Sequence, residues 1–296
     1  MVQQESLFVA DNGHQLHLRH IWQQPGGVPV LMVHGAIENG KIFYTESGKG
    51  LACYLAEQGF DVYVADMRGR GLSQPAIRKN AGHGQLEMIT QDIPAFIDYV
   101  WQQTGQAMHL VAHSWGGVLL ASAMARFPES VAKLRSKVCF GTKRSVSVVN
   151  WERIVKVELV WKRLAPMLAK RKGYFAARKL KMGADDETLE SLQHSVAWVR
   201  KSQWVDPKDN FDYASAAKAL NWPPVWHIAA IKDAVLGNPV DIKRFIRETG
   251  NHNTRFTLLS RKNGNRLDYD HINMLTHPIA RNDHFPQVAD WLRQHS

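Results

Sequence analysis

An apolar, β-prone run, Met108-His-Leu-Val-Ala-His113, ends at Ser114 and passes at once into Trp115-Gly116-Gly117 and a helix-prone stretch closed by Pro128. A serine hydroxyl is a poor nucleophile unless it is lifted clear of its surroundings and given a base. A tight strand-to-helix turn does the lifting. That turn is strained, so it admits only small residues two positions before and after the serine. Those positions hold Ala112 and Gly116, a mild departure from the usual Gly-x-Ser-x-Gly. A strand, a tight turn at serine and a helix, in that order, restrict the chain to an α/β architecture with the hydroxyl at a strand's carboxyl end.

The rest of the chain keeps this rhythm. Strand-like runs occur at 28–34, 61–66, 108–113, 137–141, 224–230 and 254–260. Helical patterns lie between them at 49–58, at 85–103 with Pro94 inside, and from Pro286 to the C-terminus. Continuous Val/Ile/Leu strands alternating with helices predict a mostly parallel sheet covered on both faces. The 296 residues suit one such core with an insertion. The stretch 143–210 has no strand-like run and several helical ones. It reads as an inserted helical cap over the carboxyl ends of the strands, where open α/β sheets bind ligands. The core is then 1–142 and 211–296.

At 45% hydrophobic and 22% charged residues, the composition is that of a globular chain and excludes a disordered one. No stretch approaches about 20 uncharged apolar residues, so no membrane-spanning helix is expected. The start, Met-Val-Gln-Gln-Glu-Ser, lacks the basic and apolar regions of a signal peptide. Cys53 and Cys139, both in apolar contexts, read as core thiols. A cytoplasmic location is expected. The net charge of +10 is concentrated: 143–182 holds twelve Lys/Arg and two Glu, 12 − 2 = +10. Ile154, Val157, Trp161, Leu164 and Leu168 recur there at helical spacing, with Arg153, Lys156, Lys162, Arg163 and Lys170 mostly off the stripe, and Pro166 kinks the run. Such a helix suits peripheral contact with an anionic membrane. A cap packing its stripe on the core beneath a solvated basic face is the plainer alternative. No nucleic-acid module accompanies the charge.

A serine nucleophile needs a base, and the base an orienting carboxylate, each just after a sheet strand. Asp233 follows strand 224–230. His271 follows the last strand and its loop, with His277 and His284 as rivals for the base. Asp241 reads as a helix-start residue and Asp206 as a cap-surface residue. His34 reads as loop packing, and Arg68 and Arg70 as braces of their own loop. His109 and His113 share a strand and form no helical metal face, and nothing offers a zinc set. The oxyanion of an acyl-transfer intermediate needs two backbone N–H donors, for which Ala36 and Trp115 are placed. No cofactor is called for.

The order Ser114, Asp233, His271, together with His34-Gly35, Asp66-Met-Arg68-Gly69-Arg-Gly71-Leu-Ser73 and Ala-His-Ser114-Trp-Gly, resembles the α/β-hydrolase pattern. Within that fold the stretches around Asp92–Gln106, Asp233–Ile242 and Tyr269–Leu275 are similar to the acid-lipase branch. The resemblance covers about 28–142 and 222–296, not the cap. It implies hydrolysis of carboxylic esters, often lipid-like, through a Ser-Asp-His triad without a cofactor. The cap aromatics Trp161, Tyr174 and Phe175 are expected to line the substrate pocket, and Trp151, Trp198 and Trp204 add to its apolar character. An acyltransferase using the same triad and a non-enzymatic scaffold of this fold are the alternatives.

Overall fold

The computed structural model describes residues 2–149, 153–200 and 203–296. Trp151 lies outside the described residues, as do the side chains of Arg153, Ile154, Lys156 and Val157. Eight strands form one sheet: β1 (Gln3–Asp11), β2 (His14–Trp22), β3 (Pro29–Val33), β4 (Asp61–Asp66), β5 (Met108–His113), β6 (Leu134–Phe140), β9 (Val225–Ala230) and β10 (Thr254–Leu259). A separate two-stranded ribbon contains β7 (Tyr174–Phe175) and β8 (Glu187–Thr188). The sheet order is β1-β2-β4-β3-β5-β6-β9-β10. β1 and β2 pair antiparallel, β2 meets β4 antiparallel, and the remaining neighbours are parallel. The central strands β3 to β6 carry buried residues along nearly their whole length, as expected of strands covered on both faces.

Two large apolar clusters fill the two sides of the sheet. One gathers Leu31, Leu110, Phe96, Leu120 and Trp204, the other Met32, Val111, Leu55, Trp226 and Leu292. Alternate residues of β5 thus feed opposite clusters, the period-two consequence of the pleat. The helix Trp115–Arg126 is buried along almost all of its length, because it packs on the sheet from one side and against Tyr213–Ala219 from the other.

The first hairpin was not among the expected strands. β1 is an edge strand with mostly exposed or half-exposed residues, so it lacks a continuous apolar run. Its signal is Asn12-Gly13, which takes positive φ at both positions (42° and 79°), as a two-residue hairpin turn requires. The 85–103 helix also departs from regularity. Gln85–Glu87 opens it, Met88–Asp92 winds as a wider turn, and Ile93–Thr104 continues as α-helix with Pro94 at its start. Proline has no N–H to give and crowds the preceding turn, which widens to accept it.

Between β6 and β9 the chain leaves the sheet. Arg153–Leu164 and Ala165–Lys172 are helical, with the change of pitch beside Pro166, and Leu189–Arg200 follows β8. The expectation of no strand at 143–210 is corrected by β7 and β8, whose two-residue lengths are too short to show a period. A small apolar cluster of its own, Ala165, Ala169, Phe175, Ala177 and Leu192, holds this segment together. The buried Arg70–Glu187 ion pair and the Lys208–Glu87 pair at 2.9 Å tie it to the core.

Candidate active site

Ser114 sits between β5 and the helix Trp115–Arg126 with φ 51° and ψ −125°. A non-glycine residue there costs about 1–3 kcal/mol and persists only where its surroundings enforce it. They do so here: the Ser114 N–H donates to the Phe140 carbonyl of β6 at 2.8 Å, and the helix starts one residue later. Gly116 is required by contact. A Cβ there would lie 2.2 Å from the His34 carbonyl oxygen. Ala112, at the other flank, is buried in the last turn of the β5 pleat, and its methyl belongs to the apolar cluster.

His271 reaches both other members of the constellation. Its Nε2 lies 2.9 Å from the Ser114 Oγ and its Nδ1 2.5 Å from the Asp233 Oδ2. Asp233 follows β9, and His271 follows β10 and the loop after it. Burial by itself would raise the Asp233 pKa. The His271 hydrogen bond and charge, a backbone N–H from Gly237 and the nearby Lys143 outweigh burial and hold the carboxyl below the usual carboxylate range. A carboxylate accepts, so the His271 Nδ1 donates, which leaves Nε2 free to accept the Ser114 O–H.

A second buried pair underlies this one and had no signature in the sequence. His113 donates from Nδ1 to Glu38 Oε2 at 2.8 Å and from Nε2 to the backbone carbonyl of His271 at 2.9 Å. Glu38 in its carboxylate form and the His271 carbonyl are both acceptors, an arrangement that favours a proton on each ring nitrogen of His113. Burial would lower its pKa, but the Glu38 charge and hydrogen bond prevail and raise it. Burial would likewise raise Glu38, and His113 brings it down. Glu38 also accepts from the Gly35 N–H at 2.8 Å. One ion pair thus joins the loop after β3, the residue before Ser114 and the backbone that carries His271.

A cavity of about 580 Å³ opens on Ser114 and His271. Ile37, Ile42, Trp115, Val146, Val199 and Leu236 supply much of its wall. Ala36 and Trp115 also line it, and among the described residues neither backbone N–H donates to a protein acceptor. Trp115 is the first residue of its helix, where N–H groups have no partner within the helix.

The other candidate residues separate clearly. His277 accepts from the Ile279 N–H through Nδ1, and the buried His284 donates from Nε2 to the Met274 carbonyl at 2.7 Å. His34 packs its loop, donating to the Gly35 carbonyl and accepting from the Met67 N–H. Arg68 binds Asp92, Asp11 and Gln91, and Arg70 binds Glu187. Asp241 lies in the first turn of the helix Pro239–Thr249 and accepts from Ser147. Asp206 is not a surface residue: it is buried and accepts from the Tyr213 hydroxyl at 2.9 Å. Of the expected pocket aromatics, Trp161 lines the cavity, with its indole N–H on Ser195 Oγ. Tyr174 and Phe175 do not line it; they form β7, and Phe175 is spent in the small cluster of the insertion. Trp198 and Trp204 are buried against Tyr213 in the core.

A mostly parallel sheet with a serine at a strand-to-helix turn and partners after later strands defines the α/β-hydrolase class of fold. The family model described as alpha/beta hydrolase fold matches residues 28–136. The fold is that of the α/β-hydrolases, and the sequence is similar to those of lipases and sterol esterases. It is 30% identical over 230 residues to gastric triacylglycerol lipase of Mus musculus, covering 64% of this chain and 57% of the relative. It is 28% identical over 127 residues to triacylglycerol lipase 2 of Arabidopsis thaliana and 35% over 97 residues to sterol esterase 2 of Saccharomyces cerevisiae. Those matches take in 38% and 30% of this chain but only 30% and 18% of the relatives' lengths. Among solved structures, a soluble variant of monoglyceride lipase from Saccharomyces cerevisiae superposes with a TM-score of 0.69 at 17% identity, over 99% of this chain and 97% of that one.

Proposed function

We propose that the protein is a serine hydrolase that cleaves carboxylic esters with an apolar acyl chain. The observation that carries this reading is His271 bridging the Ser114 Oγ and the Asp233 carboxylate. Ser114 Oγ attacks the ester carbonyl carbon as His271 Nε2 takes its proton, while Asp233 holds Nδ1 and stabilises the imidazolium. The carbonyl oxygen becomes an oxyanion and accepts from the Ala36 and Trp115 N–H groups. The tetrahedral intermediate collapses, His271 returns the proton to the leaving alkoxide, and the acyl group stays on Ser114. Water then gives a proton to His271 as it attacks the acyl carbon, the second intermediate collapses as His271 returns that proton to Ser114 Oγ, and the acid is released. The inserted helices of 143–210 act as a cap. The apolar walls of the cavity and the lipase and sterol-esterase names of the relatives support a lipid-like ester. A fluorophosphonate probe is expected to add one phosphonyl group to the protein, located on Ser114 by peptide mass spectrometry. Labelling elsewhere, or none, rejects the assignment.

The cap's basic face supports peripheral contact with anionic lipid. Leu159 and Met167 are 54% and 59% exposed, and Arg163, Lys170, Arg171 and Lys172 are exposed beside them. Apolar side chains with flanking cations match the chemistry of an interfacial helix. Sedimentation with vesicles containing phosphatidylserine is expected to pull down the protein, with binding that falls in salt and when Arg163, Lys170 and Lys172 are changed to Gln. Equal binding to phosphatidylcholine vesicles would remove the electrostatic part.

A further inference from the structure

Among the polar residues of the cavity wall is one buried cation that the ester-cleaving reaction does not use. Lys143 follows β6, lines the cavity with Ser114 and His271, and is only 8% exposed. No hydrogen bond or ion pair of Lys143 occurs among the described residues. Burial pushes its amine down to about 8, while the charges of Asp241 and Asp233 favour the ammonium form. A buried charge without a hydrogen-bonded partner is costly, and an anionic ligand in the cavity would supply that partner.

Two of the carboxylates around it are engaged elsewhere. Asp233 holds His271, and Glu38 holds His113 and the Gly35 N–H. Lys41, a second cation on the cavity wall, is paired with Glu46 at 3.1 Å. Asp241 binds Ser147 through Oδ1, while its Oδ2 is buried without a hydrogen-bond partner among the described residues. Asp241 attracts Lys143 without bonding to it. Lys181, exposed on the same wall, adds positive charge.

We propose that Lys143 is an anion-recognising group of the substrate cavity, and that the preferred ester is an amphiphile bearing one carboxylate beside its apolar part. One buried ammonium balances one negative charge; a phosphomonoester would carry nearly two. The proposal rests on the serine-hydrolase reading for the word ester, but not for the binding of the anion. It also accounts for the charge of 143–182 reaching inward as well as outward.

The test compares matched esters. On the acyl side the pair is 4-nitrophenyl hemiglutarate and 4-nitrophenyl pentanoate. On the alcohol side it is 3-(butyryloxy)benzoate and phenyl butyrate. The wild-type protein is expected to favour the anionic member of at least one pair by about tenfold in kcat/KM, the scale of one charge-assisted hydrogen bond. The pair that responds shows which side of the ester carries the charge. Lys143→Gln should bring that ratio to about one, and Lys143→Arg should keep most of it. Binding to Ser114→Ala gives a readout independent of turnover: octanoate should bind about tenfold tighter than octanamide, and the preference should vanish on adding Lys143→Gln. Loss of hydrolysis of every ester together with retained octanoate preference would sink the hydrolase reading alone. Equal treatment of both members in both ester pairs and in the binding pair would overturn the Lys143 proposal. So would a Lys143→Gln variant that lowers both members equally, because Lys143 would then act only through Asp233.

Discussion

Ser114→Ala is expected to lower kcat/KM on a medium-chain 4-nitrophenyl ester by about 10⁴- to 10⁶-fold, the range found when a triad nucleophile is removed. The loss should fall on kcat, because the cavity and the two oxyanion N–H groups remain to bind the ester. The fold should survive with little cost. Ser114 Oγ bonds to His271 alone among the described residues, and Ala keeps the Cβ that the elbow already tolerates at φ 51°. Relief of the dihedral strain is not expected, since Ala is no freer than Ser at positive φ. The measurement is steady-state hydrolysis beside thermal unfolding of the same preparation. A variant that unfolds like the wild type and keeps more than about one hundredth of its activity would mean that Ser114 is not the nucleophile.

The elbow was legible in the sequence because its constraints are local. A strand, a serine and two glycines lie within ten residues, and each position answers to backbone sterics that do not depend on the rest of the fold. Asp233 was legible for a related reason: it is placed by the end of a fully apolar strand. His271 was legible through its order along the chain and its similarity to acid-lipase sequences. His277 and His284 were its rivals in the same C-terminal region, and contact with Ser114 separates His271 from them.

What was not legible depends on residues far apart. Glu38 and His113 meet across 75 positions, and nothing in the composition of either neighbourhood marks them as a pair. Glu38 reads as a loop carboxylate and His113 as the residue before the serine until the sheet brings β3 and β5 side by side. Asp206 failed differently. Its short polar neighbourhood, Val205-Asp206-Pro207-Lys208-Asp209, suggests a surface loop, but Trp204 and Tyr213 fold over it and its carboxylate caps the Tyr213 hydroxyl. Phe175 shows the limit of reasoning from residue type. An aromatic in a cap can line a pocket or hold the cap together, and the small cluster it shares with Ala165 and Ala169 requires the second.

His271→Ala is expected to cost about as much activity as Ser114→Ala, because nucleophile and base act as one unit and their losses do not add. The double variant should therefore be no worse than either single one by more than a few fold. Asp233→Asn should cost about 10⁴-fold, since an amide presents the wrong partner to Nδ1 and releases the tautomer that lets Nε2 accept. His277→Ala and His284→Ala should keep kcat/KM within a few fold of wild type but differ in stability. His284→Ala leaves the buried Met274 carbonyl without its donor and opens a space beside Tyr269 and Phe285, so its melting temperature should drop by several degrees. His277 is half-exposed and loses only an N-terminal cap to Ile279. The pH dependence carries the same assignment. With its carboxyl held below the ordinary range, Asp233 stays ionised as pH falls through the usual carboxylate range, and the stability it contributes is lost as pH falls on towards its lowered pKa. A loss of activity with His284→Ala as large as with His271→Ala would move the base.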